Sequence, residues 1–321
     1  MELKARILSS GGARLAGAPA GTYLAKSTAG PGAGGTGAVF FRQGNHRVKL
    51  AVNPDAAGTL VHLGNGKAKL LFEGEEYSGE LDPVGYHCPR QAFITVSSGC
   101  IFRCRYCPVP AQAGQRRKPV EEIVAMVESV RERIDAISLT SGVLESPEEE
   151  EQYVLRVVAA LRRFDLPIGV TIYPLQETPV RLHALGVSEV KFNVEAATPR
   201  LFSGMCPGLD RQAIFSALDR SVLLFGKNHV FSNVIVGLGE TDEEMKTCIQ
   251  DLVARGVIPE LRPLNPASDL KNYPRPSPER LVRLHAILSQ ELDAAGLDPR
   301  EAQTMCAACQ GCDLVHLRDD I

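Results

Sequence analysis

Phe93-Ile94-Thr95-Val96-Ser97-Ser98-Gly99-Cys100-Ile101-Phe102-Arg103-Cys104-Arg105-Tyr106-Cys107 carries two signals back to back. Its first part is a short apolar run closed by Ser-Ser-Gly, the pattern of a buried strand ending in a turn. Its second part sets three thiols at the spacing C-x3-C-x2-C directly behind that strand. Outward from this point, apolar runs alternate with amphipathic stretches. Strands are predicted at Phe93–Ser97, Ala136–Thr140, Ile168–Tyr173, Glu189–Val194, Val230–Val236 and Ile258–Leu264. Helices are predicted near 119–133, 147–163, 178–184, 198–204, 210–225, 241–255 and 277–295. Strands alternating with helices make βα units and a parallel sheet. Six such units are two short of a closed eight-fold barrel. The fold class is therefore α/β, a partial (β/α)6 TIM-like barrel. Active residues of such sheets sit at the C-terminal ends of the strands.

The rest of the chain adds a small β module in front and a Cys-rich tail behind. Residues 1–90 are assigned to an N-terminal Gly-rich segment plus that module, 91–270 to the core, and 271–321 to a last helix and the tail. Residues 11–37 read as flexible backbone or Gly-rich turns. Gly30–Gly35 formally fits GxGxxG, but a strand pattern rather than a helix follows, so a phosphate cradle is not expected. Residues 38–82 alternate in short segments separated by turn residues, which predicts an antiparallel module with no visible chemistry.

The chain has 321 residues, 44% hydrophobic and 23% charged, with a net charge of −3 and no Trp. Those proportions belong to an ordinary globular protein and exclude wholesale disorder. The slight acidity speaks against a general nucleic-acid binder. No apolar run reaches the length of a membrane span, and the first residues lack a signal-peptide apolar region. A cytoplasmic location is expected, where thiols stay reduced. Nine cysteines are then conspicuous, and six fall in two tight triplets, which points to metal or cluster ligation rather than disulfides.

Three thiolates on one short loop can hold three corners of a [4Fe–4S] cube and leave the fourth iron open. With Tyr106 before the last Cys, the loop resembles that of the radical S-adenosylmethionine (SAM) superfamily. The resemblance implies that Cys100, Cys104 and Cys107 bind the cluster and that the open iron chelates SAM. It further implies that one electron releases a 5′-deoxyadenosyl radical, which abstracts hydrogen from a substrate. A reductant such as ferredoxin or flavodoxin would supply the electron.

The same resemblance assigns roles downstream. Ser141 and Gly142 end the second strand, where the family binds the SAM amino group; the usual acidic residue of that motif is missing here. Asn193-Val194-Glu195 ends the fourth strand, as in lipoyl and biotin synthase-like members, and makes Glu195 the candidate catalytic carboxylate. Asn233–Glu240 looks like the G-x-I-x-G-x-x-E motif, with Gly237 and Gly239 against SAM. Arg262 on the sixth strand could grip an anionic group bidentately. Tyr106, Ser141, Gly142, Asn193, Glu195, Gly237, Gly239 and Arg262 are thus the candidate cofactor-binding residues. Cys206 and Cys248 read as core residues.

Cys306-Ala-Ala-Cys309-Gln-Gly-Cys312 opens like a ferredoxin cluster run, with His316 where the fourth Cys would stand. A second, auxiliary [4Fe–4S] cluster is the reading, with His316, Cys88, Cys206 or the substrate as its fourth ligand. A structural zinc site uses the same residue types. The layout resembles archaeal biotin synthase-related and lipoyl synthase-like radical SAM proteins. It implies sulfur insertion or a related C–H functionalisation on a small-molecule or protein-bound substrate. Radical methylation of a protein or cofactor, a zinc-bearing scaffold and a two-cluster electron carrier are the alternatives. No nucleic acid or membrane partner is expected.

Overall fold

A computed structural model describes residues 1–26, 37–112 and 114–314. The Gly30–Gly35 run and His316 lie outside the described residues. The chain opens with helix α1 (Glu2–Ser10) and strands β1 (Ala13–Gly17) and β2 (Ala25–Lys26). Strands β3 (Gly37–Gln43), β4 (His46–Ala51), β5 (Gly58–Gly64), β6 (Lys67–Phe72) and β7 (Glu75–Leu81) complete a first sheet. Its order is β1-β5-β6-β7-β3-β2, with β4 on β3. One expectation is corrected here. The described part of the stretch 11–37, read as flexible backbone or Gly-rich turns, contains β1 and β2, and α1 precedes it. The strands of 38–82 pair antiparallel as expected, and β1, outside that stretch, joins β5 in parallel. Helix α1 was missed because it is a short nine-residue helix whose stability comes from burying Ala5 and Ile7 against the rest of the protein.

The second sheet begins with β8 (His87–Cys88), which runs antiparallel to β9 (Gln91–Thr95). Then come α2 (Val120–Val130), β10 (Ala136–Thr140), α3 (Pro147–Leu161), β11 (Ile168–Thr171), α4 (Thr178–Ala184) and β12 (Glu189–Lys191). They are followed by α5 (Pro199–Met205), α6 (Arg211–Phe225), β13 (Val230–Val236), α7 (Asp242–Ala254) and β14 (Ile258–Pro263). Strands β9 to β14 are all parallel and in sequence order, curled into a half-barrel. Helix α8 (Pro278–Ala295) and the short α9 (Met305–Cys309) end the described chain.

The sequence accounts for these elements locally. Every residue of β13 is buried, as expected for a parallel strand covered on both faces. Ser146, Asp210 and Ser277 cap α3, α6 and α8 by accepting from backbone N–H groups, and Thr241 with Glu244 forms a capping box on α7. β12 stops at Lys191, three residues before the predicted end. Beyond it, Glu195 turns left-handed at φ 58° and re-joins the sheet through one bridge to Val234.

The tail plugs the N-terminal end of the half-barrel. Its entry needs Gly169 on β11, where a Cβ would lie 2.0 Å from Thr304 Oγ1. The Glu189 carboxylate accepts from the backbone N–H groups of Gln303 and Thr304, both at 2.8 Å. Met305 N donates to Ser138 Oγ at 2.9 Å, and Gln91 Nε2 donates to Met305 O at 3.0 Å. The N-terminal sheet holds the other side: Lys49 N donates to Gly311 O at 2.7 Å and Arg47 Nη1 to Cys309 O at 3.0 Å. Barrel, front module and tail thus share one polar seam around the second cysteine triplet.

Candidate active site: two thiol groups on one lumen

At the C-terminal end of the strands, Cys100, Cys104 and Cys107 sit on the loop after β9, each partly buried. The loop is seated on β10. Gly142 N donates to Ser97 O at 3.0 Å, and a Cβ on Gly142 would stand 2.1 Å from Gly99 O, so only glycine allows this approach. Val143 N donates to Cys100 Sγ at 3.5 Å. Burial pushes the Cys107 thiol up to about 12 and raises that of Cys100. The thiol of Cys206, and then burial, raise Cys104 further. No cation among the described residues offsets these thiols, so the loop does not form a stable thiolate set by itself. It suits a group that brings its own positive charge, as iron does.

The expected companions take distinct positions. Tyr106 is buried, with its hydroxyl 3.7 Å from Cys206 Sγ. Ser141 is already engaged: its hydroxyl donates to Glu150 Oε1 and accepts from Ser97 N at 3.0 Å. Glu150, from α3, also accepts from Ser97 Oγ at 2.7 Å and from Arg117 Nη2 at 2.9 Å. Asn193 Oδ1 accepts from Asn233 N at 3.2 Å, and Asn233 Nδ2 donates to Glu195 Oε2 at 3.4 Å. Burial raises the Glu195 carboxyl, which lines the same hollow as the three cysteines. Gly237 and Gly239 hold φ 111° and 112°, which disfavours any side chain. They shape the turn after β13 without lining the hollow: Glu240 accepts from Gly237 N at 2.7 Å and Leu238 N at 2.9 Å and is braced by Arg280 at 3.0 Å.

At the opposite end lies the second triplet. Cys306 and Cys309 are buried and Cys312 nearly so. Cys306 and Cys312 lie within hydrogen-bonding reach of each other, as do Cys309 and Cys88. Cys88, far away in sequence, is therefore brought to the tail triplet, whereas Cys206 is brought to Cys104. Two cations face these thiols. Lys191 Nζ donates to Cys306 Sγ at 3.1 Å and to Glu260 Oε2 at 2.8 Å. Arg262 Nη2 donates to Cys312 Sγ at 2.9 Å. Burial opposes charge on both, but Cys306 and Glu260 keep Lys191 protonated and Cys312 and Cys306 keep Arg262 so. Cys306, donating to it, and the Arg262 guanidinium hold the Cys312 thiol down at about 6. Arg262, expected to grip an anion, thus meets a thiolate.

Glu260, Cys306 and Asp313 offer ligand atoms within 4.8 Å of one another. Both oxygens of Asp313 and Oε1 of Glu260 are buried without a hydrogen-bond partner. Unsatisfied buried acceptors beside converging thiols are groups that could hold a metal or cluster. Residues of this group that sequence reasoning missed carried a readable signal. Glu189 and Lys191 stand two apart on β12, as Glu260 does from Arg262 on β14. In a strand, that period aims each pair at one face.

The two hollows adjoin. The one at Cys100–Cys107 and the cavity reaching Cys306 and Cys312 share Thr140, Thr171 and Asn193 in their walls. The front module closes this lumen with Ile7, Leu8, Gly12, Lys49 and His87. The module 38–82, read as free of visible chemistry, therefore supplies part of its wall through Ala38, Lys49 and Ala51.

Residues 94–252 match the family model described as the Radical SAM superfamily. Two similar curated proteins are both tRNA-2-methylthio-N(6)-dimethylallyladenosine synthases. The one from Methylacidiphilum infernorum is 22% identical over 62% of this chain and 45% of its own length. The one from Cupriavidus taiwanensis is 25% identical over 79% of this chain and 61% of its own. The chain thus spans about half to three-fifths of these relatives. Among solved structures, HydG, a maturase of the [FeFe]-hydrogenase, superposes with a TM-score of 0.54 at 20% identity. The match covers 63% of this chain and 49% of that one. The half-barrel described above is the fold these structures share. No described helix is long and apolar enough to cross a membrane.

Proposed function

Since the chain belongs to the Radical SAM superfamily and is a radical SAM enzyme, we propose that it functionalises an unactivated C–H bond of a substrate held between two iron–sulfur clusters, with sulfur insertion as the outcome. When bound, the first cluster and SAM supply a hydrogen-abstracting 5′-deoxyadenosyl radical. Cys100, Cys104 and Cys107 hold that cluster. Cys88, Cys306, Cys309 and Cys312 hold the auxiliary one, with Lys191 and Arg262 offsetting its negative charge. Gly142 lets the first cluster's loop seat against β10. Glu195, oriented by Asn193 and Asn233, faces SAM, and Tyr106 packs behind Cys104. Ser141 acts through Glu150 by fixing the strand end. Gly237 and Gly239 act through the turn that Glu240 clamps. Residues 1–90, 91–270 and 271–321 serve as wall, catalytic core and auxiliary site.

The observation that carries this reading is the shared lumen. A substrate lying along Thr140, Thr171 and Asn193 has one thiol group at each end. The relatives' names, methylthio synthases, agree with sulfur insertion. A small or protein-bound substrate fits this setting better than RNA, because the auxiliary cysteines lie at the closed end of an internal cavity. The partly exposed Cys100–Cys107 loop is the face for a ferredoxin- or flavodoxin-like reductant.

The test is anaerobic purification with assay of iron, sulfide and zinc, followed by dithionite and SAM. About eight irons per chain (two cubes) and release of 5′-deoxyadenosine are expected. Zinc without 5′-deoxyadenosine would overturn the proposal.

A further inference from the structure

The cavity that reaches Cys306 and Cys312 has four cationic side chains in its lining, Lys49, Lys191, Arg262 and Arg275, and no carboxylate among the described residues. Lys191 and Arg262 are engaged by Cys306, Glu260 and Cys312. Lys49 and Arg275 form no ion pair among the described residues. Lys49 lies over the ring of Phe40 at 6.0 Å and acts on the Cys88 and Cys312 thiols only through its charge, and Arg275 donates to the amide oxygen of Asn265. Burial alone shifts Arg275, lowering it, with no anionic partner to oppose that shift. Both are half-buried, a half-buried cation with no carboxylate beside it loses hydration without compensation, and a chain with net charge −3 has acidic residues to spare for pairing. Here none is placed. Two asparagines, Asn193 and Asn233, line the same wall, and Asn233 Oδ1 is buried without a hydrogen-bond partner.

We propose that this cavity takes a small organic anion, its acidic group paired with Arg275 and Lys49 and a hydrogen-bond donor of its middle segment meeting Asn233. The inference rests on the radical SAM reading and names the substrate class for that site. It gives the front module a role: β4 supplies Lys49, and Gly11 leaves room for Arg275, whose Nη2 would stand 2.9 Å from a Cβ there. The module is thereby a specificity wall. The acidic group is a carboxylate or a phosphate; the shared chemistry is an oxyanion that Arg grips in bidentate fashion.

The test uses the anaerobically reconstituted full chain and titration calorimetry. The probes are straight-chain dicarboxylates of four to eight carbons, alkyl monophosphates of the same lengths, and the matching neutral amides. One anion class is expected to bind at least tenfold tighter than the amides, and which class does so identifies the oxyanion. Arg275→Gln and Lys49→Met are each expected to weaken that binding at least tenfold while iron content stays at the wild-type value. Equal affinity for anions and amides, no binding by any probe, or variants that bind as well as wild type would overturn the inference. Iron content and 5′-deoxyadenosine release, read on the same preparation, report separately on the radical SAM reading.

Discussion

The two cysteine triplets sit at the two ends of one lumen and are built on opposite electrostatic plans. Cys100, Cys104 and Cys107 ride on a loop, partly exposed, with every thiol shifted upward and no cation among the described residues acting on them. Cys306, Cys309 and Cys312 are locked into the barrel's N-terminal end, with Lys191 and Arg262 in contact; Cys312 is held down at about 6 while Cys306, which donates to it, is raised. The first site is open and relies on its ligand for charge. The second is closed and brings its own counter-charge. An open site suits a co-substrate that comes and goes at each turnover; a closed one suits a resident group.

Removing one thiol at either end should break this comparison most visibly. Cys104→Ala is expected to lose about half the iron (one cube of two) and all 5′-deoxyadenosine release. Cys309→Ala is expected to lose the other half yet still cleave SAM, both measured by iron assay and chromatography. If Cys309→Ala left iron unchanged, the auxiliary site would not be a cluster. Next in size is Lys191→Met, which strands Glu260 and Cys306 without their cation. A loss of about 3–5 kcal/mol is expected on breaking a fully buried pair, read by denaturant titration. No comparable penalty should follow loss of charge at Arg105, whose pair with Asp269 at the open end is exposed.

Gly142→Ala sharpens the other half of the comparison. Its Cβ collides with Gly99 O, so overpacking of about 1–3 kcal/mol is expected. Iron should be lost from the first site only, seen as a halved iron content with the auxiliary spectrum intact. Smallest is Glu240→Gln, which replaces one of the two oxygens gripping Gly237 N and Leu238 N by a donor. About 1–3 kcal/mol is expected, read as a lowered Tm, together with weaker SAM binding and unchanged iron.

Much of this was legible in the sequence. The barrel strands and their helices start and end within about three residues of the expected positions, because a buried parallel strand and a capped amphipathic helix are both local patterns. Both triplets were legible as spacing. The destination of the tail was not, since it depends on Gly169 leaving a gap and on Glu189 and Ser138 catching a backbone more than a hundred residues away. Cys88 could be nominated but not placed, as no local pattern ties it to Cys309. The role of the front module was equally hidden: α1 is short, and Lys49 looks like any strand lysine until the fold turns it toward the lumen. Lys191 and Glu260 were readable in principle. Polar residues at every second position of a strand buried on both faces have nowhere to point except into a lumen.

The most direct measurement is anomalous diffraction at the iron edge from crystals of the anaerobically loaded protein. Two iron centres are expected, one over Cys100, Cys104 and Cys107 and one enclosed by Cys88, Cys306, Cys309 and Cys312, with the shared lumen between them. A single iron centre, or zinc at the tail, would contradict the account.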